Sequence, residues 1–319
     1  MSDIVSILRC PSSHEPLSFD RDEKRLVAPG GAAYAFEADI GCFLAPVAAN
    51  DGNLSTRNFY DEGGWSTDAS GLYDDTRRFV DTRPTPMRFT LACMKRLRKY
   101  FSKGGKYLLD VGSGPIPHDE LLTYSDRFTK RICVDLSVPA LREAHRKLGD
   151  RGAYLQGDLT NLPIQTGVID AVMCFHVIYQ LPHEQQATAF RELWRVLKPG
   201  GIAVIVYWWA NPKLPEQVQR IASTLRRKKN NSAPQSLQMA ANVPDHNPLS
   251  LEWFQSQSWP FSYKFDSYRI VGNSFLQSIP DDWRGALFLR ALMVFQRLAP
   301  DYCGKHGLMP AIVVRKPSS

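Results

Sequence analysis

The sequence has no apolar run of the roughly eighteen residues that a membrane-spanning helix needs. Its six cysteines are scattered at positions 10, 42, 93, 133, 174 and 303, with no C-x₂-C pair among them. This spacing argues against a structural zinc site and against a disulfide framework. The first ten residues lack both the basic start and the apolar stretch of a secretory signal. Together these absences predict a globular cytoplasmic protein with reduced thiols.

The composition is sufficient for a large hydrophobic core. The chain has 319 residues, of which 44% are hydrophobic and 11% aromatic, and this leaves room for about two domains. The net charge of +7 arises from 39 basic and 32 acidic residues, and the tight basic run is Arg226–Lys229. Such an excess suits a nucleic acid, an acidic substrate or a solvated loop. We favour the loop because the run lies in a proline-rich stretch.

A glycine turn follows a short apolar run in the first half of the chain. Tyr107–Val111 has no helical period, and Gly112 and Gly114 follow it directly, which predicts a buried parallel strand that enters a turn. Asp110 lies near the end of this strand. Asp135 ends the next apolar run about twenty residues after the glycines, where open α/β sheets place the acid that binds a ribose. The pattern therefore predicts a nucleoside cofactor.

The residues around the glycines distinguish between cofactors. Pro115 and Pro117 remove two backbone donors that the pyrophosphate of a dinucleotide would need. The carboxylate of Asp110 would also repel phosphate, whereas the ammonium and sulfonium groups of S-adenosylmethionine (SAM) are cationic. We therefore expect SAM as the cofactor.

These residues resemble motif I of the class I SAM-dependent methyltransferases. Four further segments follow in the order of that family: Val134–Ser137, Gly157–Leu159, Val168–Ile178 and Arg195–Gly201. The resemblance covers roughly residues 106–208 and departs at Ile116, where the family usually has a third glycine. It implies an α/β fold with a Rossmann-like, mostly parallel seven-stranded sheet and helices on both faces. A small β-rich N-terminal lobe and a substrate-side insertion would be added to it.

The resemblance also implies which residues contact the cofactor. Asp110 and the glycine turn would face the methionine part, Asp135 the ribose hydroxyls, and Asp158 the adenine amino group. The predicted cofactor-binding residues are Asp110, Gly112, Ser113, Gly114, Asp135, Leu136, Asp158, Leu159 and Phe175, with Leu136 and Leu159 on the adenine faces. The alternative for each acid is a role as an N-cap or turn residue.

The methyl acceptor should bind near the end of the fourth strand, which is followed by His176. An imidazole has an unperturbed pKa near 6.5, so His176 is predicted to act as general base or to position the acceptor. The alternative is a hydrogen bond to the backbone beside the cofactor. Tyr179 and His246 are the other predicted catalytic residues. The Asn/Asp-Pro-Pro-aromatic run that resembles base amino-methyltransferases is missing here, which argues against an exocyclic base amine.

Three segments are predicted along the chain. Residues 1–48 resemble the small zinc-ribbon-like activator of tRNA and release-factor methyltransferases. Cys42 has no companion there and Cys10 is followed by Ser13 and His14, so a metal-free β-rich lobe is expected. Residues 49–105 would form a helical lid and lead-in. Residues 106–319 would form the methyltransferase domain, with an insertion at about 210–260.

The strands and helices of the predicted domain alternate. Helices are expected over Val138–Leu148 and Trp283–Leu298, and strands over 153–158, 170–175 and 202–208.

Three functions compete at this point. The first is a methyltransferase that acts at oxygen on a small molecule or a sugar-bearing metabolite, with neither a nucleic acid nor a membrane as partner. The second is an RNA-modifying methyltransferase, and the third is a SAM-binding protein without turnover. The aromatic-rich C-terminal third favours the first, because small-molecule pockets combine aromatic walls with few polar groups.

Overall fold

A computed structural model describes residues 2–44, 54–66, 69, 73–223 and 246–318. In this part of the chain the strands are β1 (Ser18–Asp20), β2 (Arg25–Val27), β3 (Ala33–Glu37), β4 (Ile40–Cys42), β5 (Gly105–Val111), β6 (Phe128–Asp135), β7 (Gly152–Gln156), β8 (Ile169–Phe175), β9 (Leu197–Val206), β10 (Tyr263–Arg269) and β11 (Met309–Arg315).

The α-helices lie mostly between these strands. They are α1 (Leu54–Phe59), α2 (Asp74–Phe79), α3 (Pro84–Leu97), α4 (Asp119–Leu122), α5 (Val138–Leu148), α6 (His183–Val196), α7 (Leu214–Ser223), α8 (Leu251–Ser256), α9 (Asn273–Ser278), α10 (Trp283–Leu298) and α11 (Pro300–His306). The observed bounds of α5 and α10 are those that the sequence predicts.

The strands form one mixed sheet, in the order β1-β2-β3-β4-β7-β6-β5-β8-β9-β11-β10. From β4 to β9 neighbouring strands pair in parallel, while the strands at both ends pair antiparallel. The α/β class is confirmed, but the seven-stranded layout is wrong because the sheet has eleven strands. The extra four come from the N-terminal segment, where β4 pairs with β7 and continues the sheet instead of forming a separate layer.

The sheet separates the two largest of three hydrophobic clusters in the described part of the chain. Side chains alternate across a strand, so Leu108 belongs to one core and its neighbour Leu109 to the other. Leu97 of α3 and Leu289 of α10 pack with Leu108, whereas Phe190 of α6 packs with Leu109. The helices therefore bury their apolar faces on both sides of the sheet, and the loops that follow the parallel strands meet at one edge.

Several predicted features lie outside the described residues or remain untested. The basic run Arg226–Lys229 lies outside them. The division of the chain at residues 48 and 105 stays a prediction. Within the described ranges, no helix combines the length and the apolar character needed to cross a membrane.

Candidate functional site

The glycine turn after β5 lies beside the end of β6. Gly112 and Gly114 have φ values of 66° and 51°, in the left-handed region that glycine adopts without strain. Ile116, which replaces the expected third glycine, keeps a φ of 55° and is fully buried. A β-branched residue in this region is an outlier, so the turn retains the backbone of a glycine-rich loop despite the substitution.

A side chain at position 112 would collide with the segment that follows β8. A Cβ built on Gly112 would lie 2.2 Å from Cγ2 of Val177, whereas one built on Gly167, whose φ is 75°, would meet nothing within 4 Å. We expect Gly112→Ala to lower the free energy of unfolding by about 2–4 kcal/mol, through backbone strain and the collision together. Gly167→Ala should cost about 1–2 kcal/mol from strain alone.

Chemical denaturation of both glycine variants would measure this difference. Equal losses of stability in the two variants would contradict the close approach of Val177 to the turn.

Asp135 holds the glycine turn against the end of β6. Its Oδ2 accepts a hydrogen bond from the Gly114 backbone nitrogen at 2.8 Å, and its Oδ1 accepts one from the Ser137 backbone nitrogen at 2.9 Å. Burial raises the pKa of Asp135 to about 6, although both hydrogen bonds favour the carboxylate. A carboxylate has about four lone-pair sites, so about two of them stay available for hydroxyl donors. The side chain keeps some accessible surface.

Asp110 is part of an ion pair that the sequence does not reveal. Its Oδ2 accepts from Arg131 Nε at 3.0 Å and from Arg131 Nη2, while Arg131 Nη1 donates to the Leu121 carbonyl at 2.8 Å. Both side chains are almost completely buried. Burial raises the pKa of Asp110 above its usual value, and the Arg131 guanidinium opposes that shift. Contact of Asp110 with a methionine moiety stays a prediction.

The other predicted cofactor residues lie around the same strand ends. Asp158 Oδ1 accepts from the Thr160 backbone nitrogen at 2.7 Å, which is the N-cap role considered as its alternative. Ser113 Oγ donates to the Gly114 carbonyl at 3.3 Å. Leu159 is buried and Leu136 is partly exposed. The Phe175 ring meets Tyr124 edge to face at 5.7 Å.

Aromatic residues of the predicted lid segment cover the glycine turn. The rings of Tyr60 and Trp65 stack with centroids 4.9 Å apart, and Tyr73 meets Trp65 edge-on at 5.9 Å. A Cβ built on Gly114 would lie 2.8 Å from Cζ2 of Trp65. The indole Nε1 of Trp65 is buried and has no hydrogen-bond partner among the residues that the structure describes. Within these residues, the segment that contacts the turn therefore contains a donor without an acceptor.

His176 directly follows β8 in a strained conformation. Its φ of 65° is unusual for a non-glycine residue, and its ring lies 5.0 Å from the Tyr268 ring and 6.3 Å from the Tyr179 ring. Burial lowers the pKa of His176 to about 3, with further contributions from Arg269 and His118. The imidazole is therefore neutral at physiological pH. The unperturbed value near 6.5 assumed from the sequence is wrong, because the fold desolvates this ring.

The structure brings the three predicted catalytic residues together. The ring of Tyr179 lies 5.0 Å from that of His246, which is also 4.8 Å from Trp208. The segment that carries His246 is held by backbone groups: Asn247 donates to the Tyr179 carbonyl at 2.7 Å and accepts from Gln186 Nε2 at 2.6 Å. Their catalytic roles stay predictions.

Asp75 is a candidate site residue that the sequence analysis did not single out. Burial raises the pKa of Tyr60 and of Tyr179, and the Asp75 carboxylate raises both further. Burial, assisted by the neighbouring Asp74, raises the pKa of Asp75 to about 7. The acid lies near the start of α2, in the segment taken only as a lid. Two adjacent acids in the first turn of a short helix resemble an ordinary helix start, so no local signal distinguishes Asp75.

Among the residues that the structure describes, no group of three or more His, Cys, Asp or Glu side chains is placed so that it could bind a metal ion. Cys10 is buried, with its Sγ 3.1 Å from Ser12 Oγ and 3.0 Å from the Tyr34 hydroxyl. Its neighbours are thus hydroxyl groups in place of the soft ligands of a zinc ribbon. The zinc-free lobe stays a prediction.

The central part of the chain is similar to known proteins. Residues 109–205 match a family described as "Methyltransferase domain". An uncharacterized methyltransferase of Mycobacterium sp. (strain KMS) is 32% identical over 113 residues, which are 34% of this chain and 42% of that protein. The alignment thus spans less than half the length of this relative.

Solved structures show similarity in fold. The YcgJ protein of Bacillus subtilis is 17% identical, with a TM-score of 0.42, over 73% of this chain and 100% of that one. The DhpI protein, in its complex with SAM and HEP, is 18% identical, with a TM-score of 0.46, over 71% of this chain and 96% of that one. The part of this chain that matches the methyltransferase family, residues 109–205, contains the glycine turn and the ends of β5 to β8.

Proposed function

We propose that this protein is a SAM-dependent methyltransferase that modifies a small molecule or a sugar-bearing metabolite at oxygen. The observation that carries the proposal is the Asp135 carboxylate, held by Gly114 and Ser137 beside the glycine turn with lone pairs available to hydroxyl donors. This is the position that a ribose requires in an open α/β sheet.

Two groups at the turn support a bound nucleoside cofactor. The Trp65 Nε1, which has no partner among the described residues, supplies a donor, and Gly114 allows the Trp65 ring to pack directly on the turn, since a Cβ there would lie 2.8 Å from Cζ2 of Trp65. We assign the methionine part to Asp110, Gly112, Ser113 and Gly114, the ribose to Asp135, and the adenine to Leu136, Asp158, Leu159 and Phe175. When bound, SAM supplies an activated methyl group.

The acceptor would bind between the lid segment and the end of β8. Tyr179 and the neutral imidazole of His176 orient the acceptor oxygen, and His246 closes the site from the other side of Tyr179. The carboxylate of Asp75 accepts the proton that the acceptor hydroxyl loses, since its pKa of about 7 suits a general base at neutral pH. The aromatic walls favour a small acceptor.

Binding of S-adenosylhomocysteine (SAH), the demethylated product, tests this proposal. Ribose hydroxyls donate to the ionised Asp135, whose pKa in the free protein is about 6. Ionisation is incomplete at pH 5 and nearly complete at pH 7, so we expect affinity to rise by about tenfold over this interval and to level off above it. Asp135→Asn should weaken binding at pH 7 by about tenfold or more and abolish the pH dependence. Isothermal titration calorimetry of the full chain would measure both effects.

The control variant is Asp126→Asn, which changes an exposed acid just before the opposite end of β6 and should bind SAH normally. NAD is the control ligand, because Pro115 and Pro117 lack the donors that a pyrophosphate needs. Tight binding of NAD together with no response to SAH would overturn the proposed cofactor.

A further inference from the structure

A buried cation beside the proposed acceptor site has no anionic partner among the described residues. Arg269, at the end of β10, is only 5% exposed, and its Nη1 donates to Thr90 Oγ1 at a long 3.4 Å. Its Nε is buried and has no hydrogen-bond partner in the described part of the chain. Among the residues that the structure describes, no carboxylate oxygen lies within 4.0 Å of the guanidinium. Burial of a charge without a partner is strongly unfavourable, so binding of an anion beside the guanidinium would offset this cost.

A neighbouring arginine in the same core differs from Arg269 in having a carboxylate within ion-pair distance, although among the described residues its Nε and Nη2 make no hydrogen bond. Arg96 Nη2 lies 3.8 Å from Asp266 Oδ1, and its Nη1 donates to the Gln296 carbonyl at 3.1 Å. Asp266 also accepts from Lys99 at 2.7 Å and from the Tyr100 hydroxyl at 2.6 Å. This acid is therefore fully used by other donors.

Arg269 lies next to the residues proposed to position the acceptor. Its neighbour Tyr268 has its ring 5.0 Å from the His176 ring. Burial lowers the pKa of His176 and the guanidinium lowers it further, whereas burial raises the pKa of Tyr179 and the guanidinium opposes that shift. An anion bound to Arg269 would thus lie beside the acceptor oxygen.

We propose that Arg269 binds a carboxylate group of the methyl acceptor through its Nε and Nη2 edge. This inference rests on the proposed function, because it specifies the substrate of that site. The planar guanidinium edge matches the two oxygens of a carboxylate, and one buried cation balances one negative charge. A phosphate dianion would leave a second charge unbalanced near Asp75. The methyl acceptor therefore belongs to the hydroxy acids or the sugar acids.

Small aromatic probes test the charge preference, since aromatic rings surround the site. In calorimetry on the full chain, with and without saturating SAH, benzoate should bind at least about tenfold more tightly than the isosteric neutral benzamide. Arg269→Gln should abolish this difference, and Arg269→Lys should retain only part of it because the ammonium has no planar edge. Equal affinities, including no measurable binding of either probe, would overturn the proposal. Tighter binding of phenyl phosphate than of benzoate would overturn the choice of a carboxylate.

Thermal stability gives a second readout that a merely structural arginine would not produce. Arg269→Met removes an uncompensated charge, so the Tm of the unliganded protein should rise by about 2 °C or more. The matched control Arg96→Met breaks an ion pair and should lower the Tm. A similar fall in both variants would show that Arg269 only supports the fold.

SAH binding separates this inference from the proposed function. The Arg269 variants should bind SAH as the unmodified protein does, since the arginine lies on the acceptor side. Absence of SAH binding in the unmodified protein would refute the cofactor, whereas the benzoate titrations without SAH would still decide whether the anion site exists.

Discussion

Replacement of Arg131 by methionine should lower the free energy of unfolding by about 3–5 kcal/mol, because it leaves the Asp110 carboxylate buried without its partner. Arg131 is 1% exposed and donates twice to the same carboxylate oxygen. It also donates to the Leu121 carbonyl and so ties α4 to the sheet. The loss should be visible in chemical denaturation at pH 7.

The loss should depend on pH in a defined direction. Burial already raises the pKa of Asp110 in the folded protein, and removal of Arg131 raises it further. A group whose folded pKa exceeds its unfolded value of about 3.9 destabilises the fold more as pH rises through the folded value. The Arg131→Met variant should therefore be least impaired near pH 4 and most impaired at pH 7.

Two further variants test the origin of this effect. Asp110→Asn combined with Arg131→Met removes the unpaired charge and should recover part of the lost stability. The exposed pair of Arg98 and Asp126, 2.7 Å apart, provides the control, and Arg98→Met should cost less than about 1 kcal/mol. An Arg131→Met loss no greater than that of Arg98→Met would show that the buried pair does not stabilise the protein.

Once an acceptor is identified, His176→Asn should lower turnover by about 10²-fold or more, because the ring orients the acceptor oxygen. Affinity for SAM should stay within a few-fold of its original value. Because the pKa of His176 is lowered to about 3, its ring stays neutral over the accessible pH range. The variant should thus turn over more slowly at every pH without a change in the shape of the pH–rate profile.

Asp75→Asn should alter the shape of that profile. The pKa of Asp75 is raised to about 7 by burial, and the carboxylate is the form that accepts a proton. Turnover should therefore increase as pH rises through about 7, and Asp75→Asn should abolish this increase. His183→Asn, at an exposed histidine at the start of α6, should leave both rate and profile unchanged.

These results would divide the roles between the two residues. Unchanged turnover in His176→Asn would remove that residue from the mechanism. If the pH–rate profile of the unmodified protein has a limb near pH 6.5 that disappears in His176→Asn, His176 is the general base and its pKa is not lowered.

Local sequence patterns were sufficient to predict the helices and parallel strands named below. The helical spacing and the breaks around it predicted Val138–Leu148 and Trp283–Leu298 with their observed bounds. The short apolar runs predicted the parallel strands, and Asp135 was expected at a strand end because parallel strands place their carboxyl ends together. Such features depend on residues within one or two turns of each other, so the sequence displays them directly.

The charge state of the site depends on contacts between distant segments. Arg131 is 21 residues from Asp110, and the lid residue Tyr60 is 120 residues from Gln180, to which it is hydrogen-bonded. Similarly, β4 joins β7 across more than a hundred residues, which turned the expected separate lobe into part of the main sheet.

The sequence by itself determined the α/β class, the glycine turn and the identity of the acids at the strand ends. Only the tertiary structure decided that Asp110 is paired, that His176 is neutral, that Asp75 has a pKa of about 7 and that the Arg269 Nε is buried without a hydrogen-bond partner among the described residues. The physical reason is that burial and neighbouring charges set a pKa, and both arise when segments far apart in the chain pack together.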